Sequence, residues 1–453
     1  MCIKCGKTYQ TSGNTTNLSC HIKRIHPNLT VSDLPQRQQL SILSFIEKKY
    51  ETSSNRKQTL DSALCSYITS DLRPFSVLEN KGFRNFVSHL DPRYELPSRT
   101  TLRNVSMANA YAEKKAKLFE LLKNVKHCAI TSECWTSRAN ECHFVTADFE
   151  LRNAVLVTEK LIDETTHSSE NIANSIRAVL EEWSVLGKVT AMVTDNAKNM
   201  IKACEILQIR HVPCFAHSIN LTVQDCLASE NVKPILEKCK RIVAFFKSST
   251  IAFAKFREAQ DCERPYSLKQ ECPTRWNSAF YMVERILITK VAIASVLLNT
   301  SKGLLPITSD EISILEDLKA LLSPFENATV HTSSSTSVTG SSVIPVACGI
   351  LHNLSALKSK LQTKVVCDDL LQGVNKRLVP YESHTVTRMT TILDPRFKKE
   401  GFWNPFNSSQ AVKSLEEELS HIYAQTKSST SLNPPTPEPT AESNLLFSFL
   451  QAN

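Results

Sequence analysis

The most constraining feature of the sequence is a set of two cysteines and two histidines near its beginning. Two residues separate Cys2 from Cys5, fifteen residues follow, and four residues separate His21 from His26. Two thiolates and two imidazoles at these spacings predict a tetrahedral zinc site, with the cysteines on a tight knuckle and the histidines on one helix face. The alternative, four unrelated residues at these intervals, is the weaker one because the pattern is specific among short motifs.

The segment around these ligands is basic. It contains Lys4, Lys7, Lys23 and Arg24 and no acidic residue. The net charge of the whole chain is +8, so half of it lies before residue 27 and the basic character is local. A small metal-bound module with this charge suits a polyanion, and we expect these four residues to contact double-stranded DNA.

Composition limits the class of protein. Hydrophobic residues make up 42% of 453 residues, enough for two or three globular domains. The 15 cysteines have no regular spacing and no apolar leader precedes them, which favours a reducing compartment. The longest apolar runs, such as residues 291–298, are shorter than the roughly 20 residues that cross a bilayer, so we expect no membrane partner.

Changes in composition and periodicity divide the chain into six regions. We predict a finger over residues 1–27, a linker over 28–58, a helical region over 59–122, an α/β core over 123–300, a helical insertion over 301–425, and a disordered tail rich in proline, serine and threonine over 426–453.

The α/β core shows an order of elements that can be read from apolar spacing. Three strands come first, at residues 128–135, along the alternating residues Val145, Ala147, Phe149 and Leu151, and at 154–162. A helix through Ile172 and Trp183 follows, with Gly187 as its C-cap, and then a strand at 189–194, a helix at 197–207, a strand at 209–212 and a helix from Ala216. This is the order of a ribonuclease H-like domain, and the fold class is α/β plus α.

Several stretches resemble motifs of hAT-superfamily transposases, in the family's order. They are T-S-E-C-W-T-S at 131–137, V-T-D-N-A-K-N-M at 193–200, C-F-A-H-S-I-N-L at 214–221, T-R-W-N-S at 274–278, R-P-F-S at 73–76 with G-F-R at 82–84, and L-D-P-R-F at 393–397. The finger resembles the BED-type finger of these transposases and of host proteins derived from them. The resemblance covers residues 1 to about 400 and implies a ribonuclease H-like core with a helical N-terminal region and a helical insertion.

The resemblance also assigns candidate site residues. Glu133 and Asp195 stand at two catalytic positions, and the first strand and the end of the fourth would place their carboxylates face to face for two-metal chemistry. The other family-motif residues are Trp135, Cys214, His217, Arg275 and Trp276.

Departures from the family indicate that catalysis is lost. Glu133 stands where the family has Asp, and the extra methylene moves the carboxylate by roughly an ångström. The family's third acidic residue is missing, and so is its Trp-rich C-terminal dimerisation segment. The second absence weakens the expectation of a homodimer but leaves it open. The finger also departs from the BED type at its start, because the family has an aromatic-bearing strand before the first cysteine and here Met1 directly precedes Cys2.

Each candidate residue has a plainer interpretation. Asp195 suits an N-cap ahead of Ala197, and Glu133 a solvated strand end. Cys214 and His217 could be half of a metal site, but structural packing explains them better. Arg275 and Trp276 could line the active site or form a buried stacked pair that holds a loop.

The sequence therefore predicts a nuclear, zinc-dependent DNA-binding protein derived from a hAT transposase, catalytically inactive, that acts in transcription or chromatin regulation. Two alternatives stay open. One is an active or fragmentary transposase, and the other is a scaffold that oligomerises through its helical region.

Overall fold

The computed structural model describes residues 2, 5–8, 16–27, 48–134, 138–146, 150–300, 303–333 and 338–429. Trp135 and Lys4 lie outside these residues, as does the tail from residue 430 onward; residues 426–429, predicted to belong to the disordered tail, are instead helical. The chain divides into two compact units, Met1–Glu120 and Leu121–Asn453, which are described separately.

The first unit contains the finger helix and a small helical core. Its helices are α1 (Thr16–Ile25), α2 (Asn55–Ser70), α3 (Lys81–Leu90) and α4 (Met107–Lys123), the last of which crosses into the second unit. The Ser54 hydroxyl caps α2 by accepting the Lys57 N–H at 3.3 Å. Ile68, Leu78 and Leu102 are among the buried residues of this core. Residues 48–50 of the predicted linker are not helical, and residues 28–47 lie outside the described residues.

The second unit begins with a five-stranded sheet. Its strands are β1 (Cys128–Cys134), β2 (Arg138–Val145), β3 (Leu151–Glu159), β4 (Val189–Thr194) and β5 (His211–Pro213), in the spatial order β3-β2-β1-β4-β5. Helices α5 (Ser169–Glu182), α6 (Lys198–Leu207) and α7 (Phe215–Leu227) follow β3, β4 and β5. The first three strands pair antiparallel, and β1, β4 and β5 pair parallel. The order of elements is the predicted one.

Two local predictions in this region are wrong. Val145 ends β2 and pairs with Leu151 at the start of β3, so the alternating residues belong to two strands and not to one; residues 147–149 between them lie outside the described residues. The helix α5 ends at Glu182, and the residue with left-handed backbone after it is Ser184 (φ 54°), whereas Gly187 lies in the short 3-10 turn Leu186–Lys188.

Beyond the sheet, the described residues of the second unit form mainly helices. They are α8 (Lys233–Ser248), α9 (Thr250–Glu258), α10 (Trp276–Ile288), α11 (Lys290–Leu298), α12 (Ser309–Thr332), α13 (Val343–Lys358), α14 (Lys364–Arg377), α15 (Thr385–Leu393) and α16 (Pro405–Ser429). One apolar core runs from Phe215 to Tyr381 and includes the fully buried Phe246, Phe256 and Phe325. Within the described residues, helices therefore follow the sheet directly from Phe215, well before the boundary expected near residue 300.

One segment, Gly340–Lys358, is long and apolar enough to cross a membrane by length and composition. It contains α13, whose residues Ile344, Ile350 and Leu354 are at most 2% exposed. Burial among other helices gives this segment the character of a core helix.

Candidate zinc finger and acidic cleft

A knuckle and a helix bring the four predicted zinc ligands together. The ligand atoms of Cys2, Cys5, His21 and His26 all lie within 4.8 Å of one another. The Cys2 N–H donates to the Lys7 carbonyl at 2.7 Å and the Gly6 N–H donates to the Cys2 carbonyl at 2.8 Å, which closes the knuckle around the two thiols. Gly6 has a φ of 70°, a left-handed conformation that glycine adopts without strain.

The two histidines do not share a helix face as predicted. His21 lies in α1, whereas His26 lies just past the last helical residue, Ile25. Five residues of ideal helix turn the chain about 140° beyond a full turn, so two histidines at this spacing would diverge on a continuous helix. His26 is the first residue after α1, its backbone N–H donates to the Ile22 carbonyl at 3.0 Å, and the two ring centroids lie 5.3 Å apart at an interplanar angle of 78°.

The donor atoms fit a zinc ion. The Nε2 atom of His26 is buried and has no hydrogen-bond partner among the described residues. The Cys5 Sγ lies 3.3 Å from the His21 Nε2. Burial lowers the pKa of His21, and the charges of His26 and Lys7 lower it further, which favours the neutral imidazole that binds metals. Two thiols and two imidazoles are a donor set that zinc accepts in structural sites.

The basic residues predicted to contact DNA have different positions. Lys23 and Arg24 lie exposed in the last turn of α1, and Lys7 is exposed beside the knuckle. Lys23 follows His21 by two residues, which places it on the opposite side of an ideal helix from His21. Two cations are thus presented to solvent by the helix that the metal would hold.

A cleft of about 770 Å³ lies at the carboxyl ends of β1 and β4. The sheet, α7, the segment before α10 and the end of α12 all contribute to its lining. The cleft brings together the predicted site residues Glu133, Asp195, Cys214, His217, Arg275 and Trp276.

The strand register brings Glu133 and Asp195 to the same edge of the sheet. In the parallel pair β1 and β4, Thr131 is opposite Val193, and two residues further along each chain lie Glu133 and Asp195. Glu133 is exposed and Asp195 is half-buried, and both line the cleft. Among the described residues, Glu133 and Asp195 are the only two carboxylates that line the cleft.

Asp195 is not the N-cap of the following helix. The N-cap of α6 is Ala197, and no side chain caps it. The Asp195 carboxylate accepts the Ala197 N–H at 3.3 Å, a loop hydrogen bond that precedes the helix. The capping interpretation is therefore wrong, and the carboxylate faces the cleft.

Cys214 and His217 lie at the start of α7, where Cys214 is the N-cap residue. Burial raises the pKa of the Cys214 thiol, and the negative charges of Glu133 and Asp195 also raise it. Among the described residues, the only cluster of three or more potential metal ligands is the one in the finger. In this part of the chain, Cys214 and His217 have no further ligand that completes a metal cluster.

Arg275 and Trp276 differ sharply in exposure. Trp276 is 3% exposed and packs edge-on against Phe280 at a ring-centroid distance of 6.3 Å, whereas Arg275 is exposed at the cleft. The interpretation as a buried stacked pair is therefore wrong. Arg275 is a cation available at the same cleft as the two carboxylates.

The cleft also contains residues that the sequence did not single out. His143 on β2 lies 3.3 Å from the Thr131 hydroxyl, and the Asn220 side-chain oxygen on α7 accepts the Trp276 backbone N–H at 3.2 Å. Asn277 donates to Glu326 on α12. Asn220 and Asn277 lie inside two of the recognised motifs, so the sequence could have identified them. His143 lies in no motif, and only the pairing of β2 with β1 brings it to the cleft.

Comparison with known proteins gives three family matches. The BED zinc finger model matches residues 1–27, the ZBED1 RNase-like domain matches residues 131–221, and the ZBED1 RNase-like helical domain matches residues 212–320. These matches confirm the predicted resemblance, and zinc is the metal of the finger.

Individual relatives come from two groups. Zinc finger BED domain-containing protein 4 of Homo sapiens is 27% identical over 450 residues, covering 89% of this chain and 38% of the relative. Zinc finger BED domain-containing protein 6 of Mus musculus is 26% identical over 374 residues, covering 75% of this chain and 37% of the relative. The Transposable element Hobo transposase of Drosophila melanogaster is 24% identical over 255 residues, covering 52% and 38%. The chain thus spans less than half the length of these relatives.

Proposed function

We propose that this chain is a nuclear, zinc-dependent protein that binds double-stranded DNA through its finger and regulates transcription or chromatin. Its cleft derives from a hAT transposase and no longer catalyses strand transfer. The observation that carries the proposal is the convergence of Cys2, Cys5, His21 and His26 beside the exposed cations of α1.

The finger contacts DNA mainly through charge. Zinc holds the knuckle against α1, so that Lys23 and Arg24 project from an ordered helix end instead of from a flexible peptide. Each cation that neutralises a phosphate releases counterions, and the logarithm of affinity falls by about 0.9 per contact for each logarithmic unit of salt. Side chains of an ordered helix can also reach base edges in the major groove.

The described residues of the cleft do not supply the carboxylates that strand transfer needs. Two-metal phosphoryl transfer needs carboxylates that hold two cations about 3.5–4 Å apart, so that both the attacking and the leaving oxygen are stabilised. Within the described part of the chain, Glu133 and Asp195 have no third carboxylate with them in the cleft lining. One of the two also carries a longer side chain than the family's aspartate. Together these features support a loss of catalysis.

The DNA-binding proposal predicts a specific loss in a double variant. Lys23→Gln with Arg24→Gln should weaken binding to duplex DNA and make the salt slope less negative by about 1.8, because two contacts of about 0.9 each are lost. Lys202→Gln with Lys413→Gln, two exposed cations of the second unit, is the charge-matched control and should leave both values unchanged. Fluorescence anisotropy over a salt series measures both. Equal affinity and slope in the finger variant would contradict the proposal.

A second candidate function is an active transposase, which is favoured by the presence of Glu133 and Asp195 in the lining of one cleft. We expect no nicking of supercoiled plasmid with Mg²⁺ or Mn²⁺, because a single carboxylate pair cannot clamp two cations. The Asp195→Ala variant is the control for contaminating nuclease. Nicking by the natural chain that disappears in this variant would establish the transposase function instead.

A further inference from the structure

The start of α16 presents two large aromatic rings to solvent. Trp403, two residues before the helix, is 53% exposed, and Phe406, in its first turn, is 67% exposed. Aromatic rings of this size dominate the energetics of cores and interfaces, because each can bury a large apolar area. Tryptophan in particular is enriched among the residues that contribute most to binding. The two rings are therefore candidates for a binding surface, provided that the protein holds them in place.

A buried carboxylate holds the segment that carries the rings. Glu382 is 4% exposed, and its Oε1 accepts the backbone N–H of Trp403 and, at 3.4 Å, that of Asn404. Its Oε2 accepts the Asn407 side-chain amide at 2.7 Å. Burial of a carboxylate costs free energy, which these charge-assisted hydrogen bonds offset. Because the segment is already ordered, little conformational entropy would be lost when the rings bind a ligand.

Two lysines precede the rings in a tight turn. Lys398 and Lys399 are exposed in the 3-10 turn Lys398–Gly401. The Asp394 carbonyl accepts the Lys398 N–H at 3.0 Å, but the Asp394 carboxylate pairs with Arg396 at 2.7 Å, so its charge is already matched by another cation. Lys398 has a φ of 48°, a left-handed conformation that is strained for a residue other than glycine and that clusters at functional sites. The turn thus presents two cations beside the rings.

Exposed rings beside lysines match the chemistry of a single nucleic-acid strand. Unpaired bases stack on aromatic side chains, and the phosphates of the strand pair with cations, whereas a duplex keeps its bases stacked inside. We propose that the aromatic platform, defined as Trp403 and Phe406 with Lys398 and Lys399, binds single-stranded DNA. The choice of DNA over RNA rests on the proposed function, whereas the platform itself does not depend on the finger.

Binding of a labelled oligodeoxythymidine of about 16 nucleotides to the full chain tests the stacking. Trp403→Ala with Phe406→Ala should weaken this binding by at least about tenfold, because two bases lose their stacking partners. Trp403→Phe retains a ring and should keep most of the affinity. Phe86→Ala with Tyr111→Ala is the control, because these rings of α3 and α4 are 60% and 61% exposed, and it should bind normally.

A salt series tests the lysines. Lys398→Gln with Lys399→Gln should make the salt slope for the oligodeoxythymidine less negative by about 1.4, because each phosphate contact of a single strand contributes about 0.7. Lys247→Gln with Lys255→Gln, two exposed cations of α8 and α9, is the charge-matched control and should leave the slope unchanged. Fluorescence anisotropy measures both series, and circular dichroism confirms that each variant is folded.

Duplex affinity separates this inference from the proposed function. The double alanine variant of the platform should bind duplex DNA as the natural chain does, since the finger is intact. A finger variant with unchanged duplex affinity would contradict the proposed function and leave the single-strand result standing. Single-strand affinity that is undetectable, or that the platform variant leaves unchanged, would overturn the inference. So would self-association that the platform variant abolishes, because the occupant would then be a second copy of the chain.

Discussion

At the scale of single residues, the finger separates ligands from bystanders. Cys2 and Cys5 converge with the two histidines, whereas Cys20, one residue before His21, is exposed on α1 and outside the cluster. The orphaned His26 Nε2 is a buried nitrogen that costs free energy unless a proton donor or a metal satisfies it. The ligand assignment can therefore be tested by two cysteine substitutions in the same short segment.

We expect Cys5→Ser to abolish stoichiometric zinc binding, whereas Cys20→Ser should retain one zinc ion per chain. A structural zinc site contributes about 10–16 kcal/mol of apparent binding free energy, and three ligands do not retain most of it. Metal content of the purified full chain, measured by mass spectrometry after dialysis, gives the answer. If the two variants hold equal amounts of zinc, the ligand set is wrong.

At the scale of elements, helices of the region beyond the sheet support the cleft. The Tyr381 hydroxyl donates to the Pro213 carbonyl at 3.1 Å and lies 3.0 Å from the Ser218 hydroxyl, which in turn accepts from Asn196 at 3.3 Å. Asn196 directly follows Asp195. Tyr381 thus stabilises the loop that carries Asp195, although the two residues are 186 positions apart in the chain.

The close crossing of α7 and α14 predicts a stability effect. A Cβ atom at Gly373 on α14 would lie 2.9 Å from the Thr222 Cγ2 and 3.5 Å from the Thr222 carbonyl on α7. Gly373→Ala should therefore lower the free energy of unfolding by about 1–3 kcal/mol, because the helices must separate. Gly349→Ala on α13 meets nothing within 4 Å and should be neutral or stabilising by about 0.5–1 kcal/mol.

Chemical denaturation of the two variants gives both free energies. Equal stability of Gly373→Ala and the natural chain would contradict the packing of α7 against α14.

At the scale of the whole molecule, the sequence predicted the zinc ligands and the order of strands because both depend on local spacing. The cleft residues were predicted from motifs, and Glu133 and Asp195 both line the cleft. The errors lie where tertiary structure overrides periodicity. Val145 and Leu151 pair across two antiparallel strands, and His26 lies just past the end of α1 at Ile25. The contacts of His143 with Thr131 and of Tyr381 with Pro213 join residues that are far apart in the chain. Local sequence patterns do not predict such contacts.

The central claim is that zinc-dependent folding of the finger gives the chain its affinity for DNA. The most direct measurement is duplex affinity of the full chain before and after zinc removal by a chelator, with zinc added back as the control. We predict that zinc removal lowers affinity by at least about tenfold and that added zinc restores it, because the apo finger loses its ordered cationic helix. Affinity that is unchanged without zinc would contradict the claim and place DNA binding elsewhere in the chain.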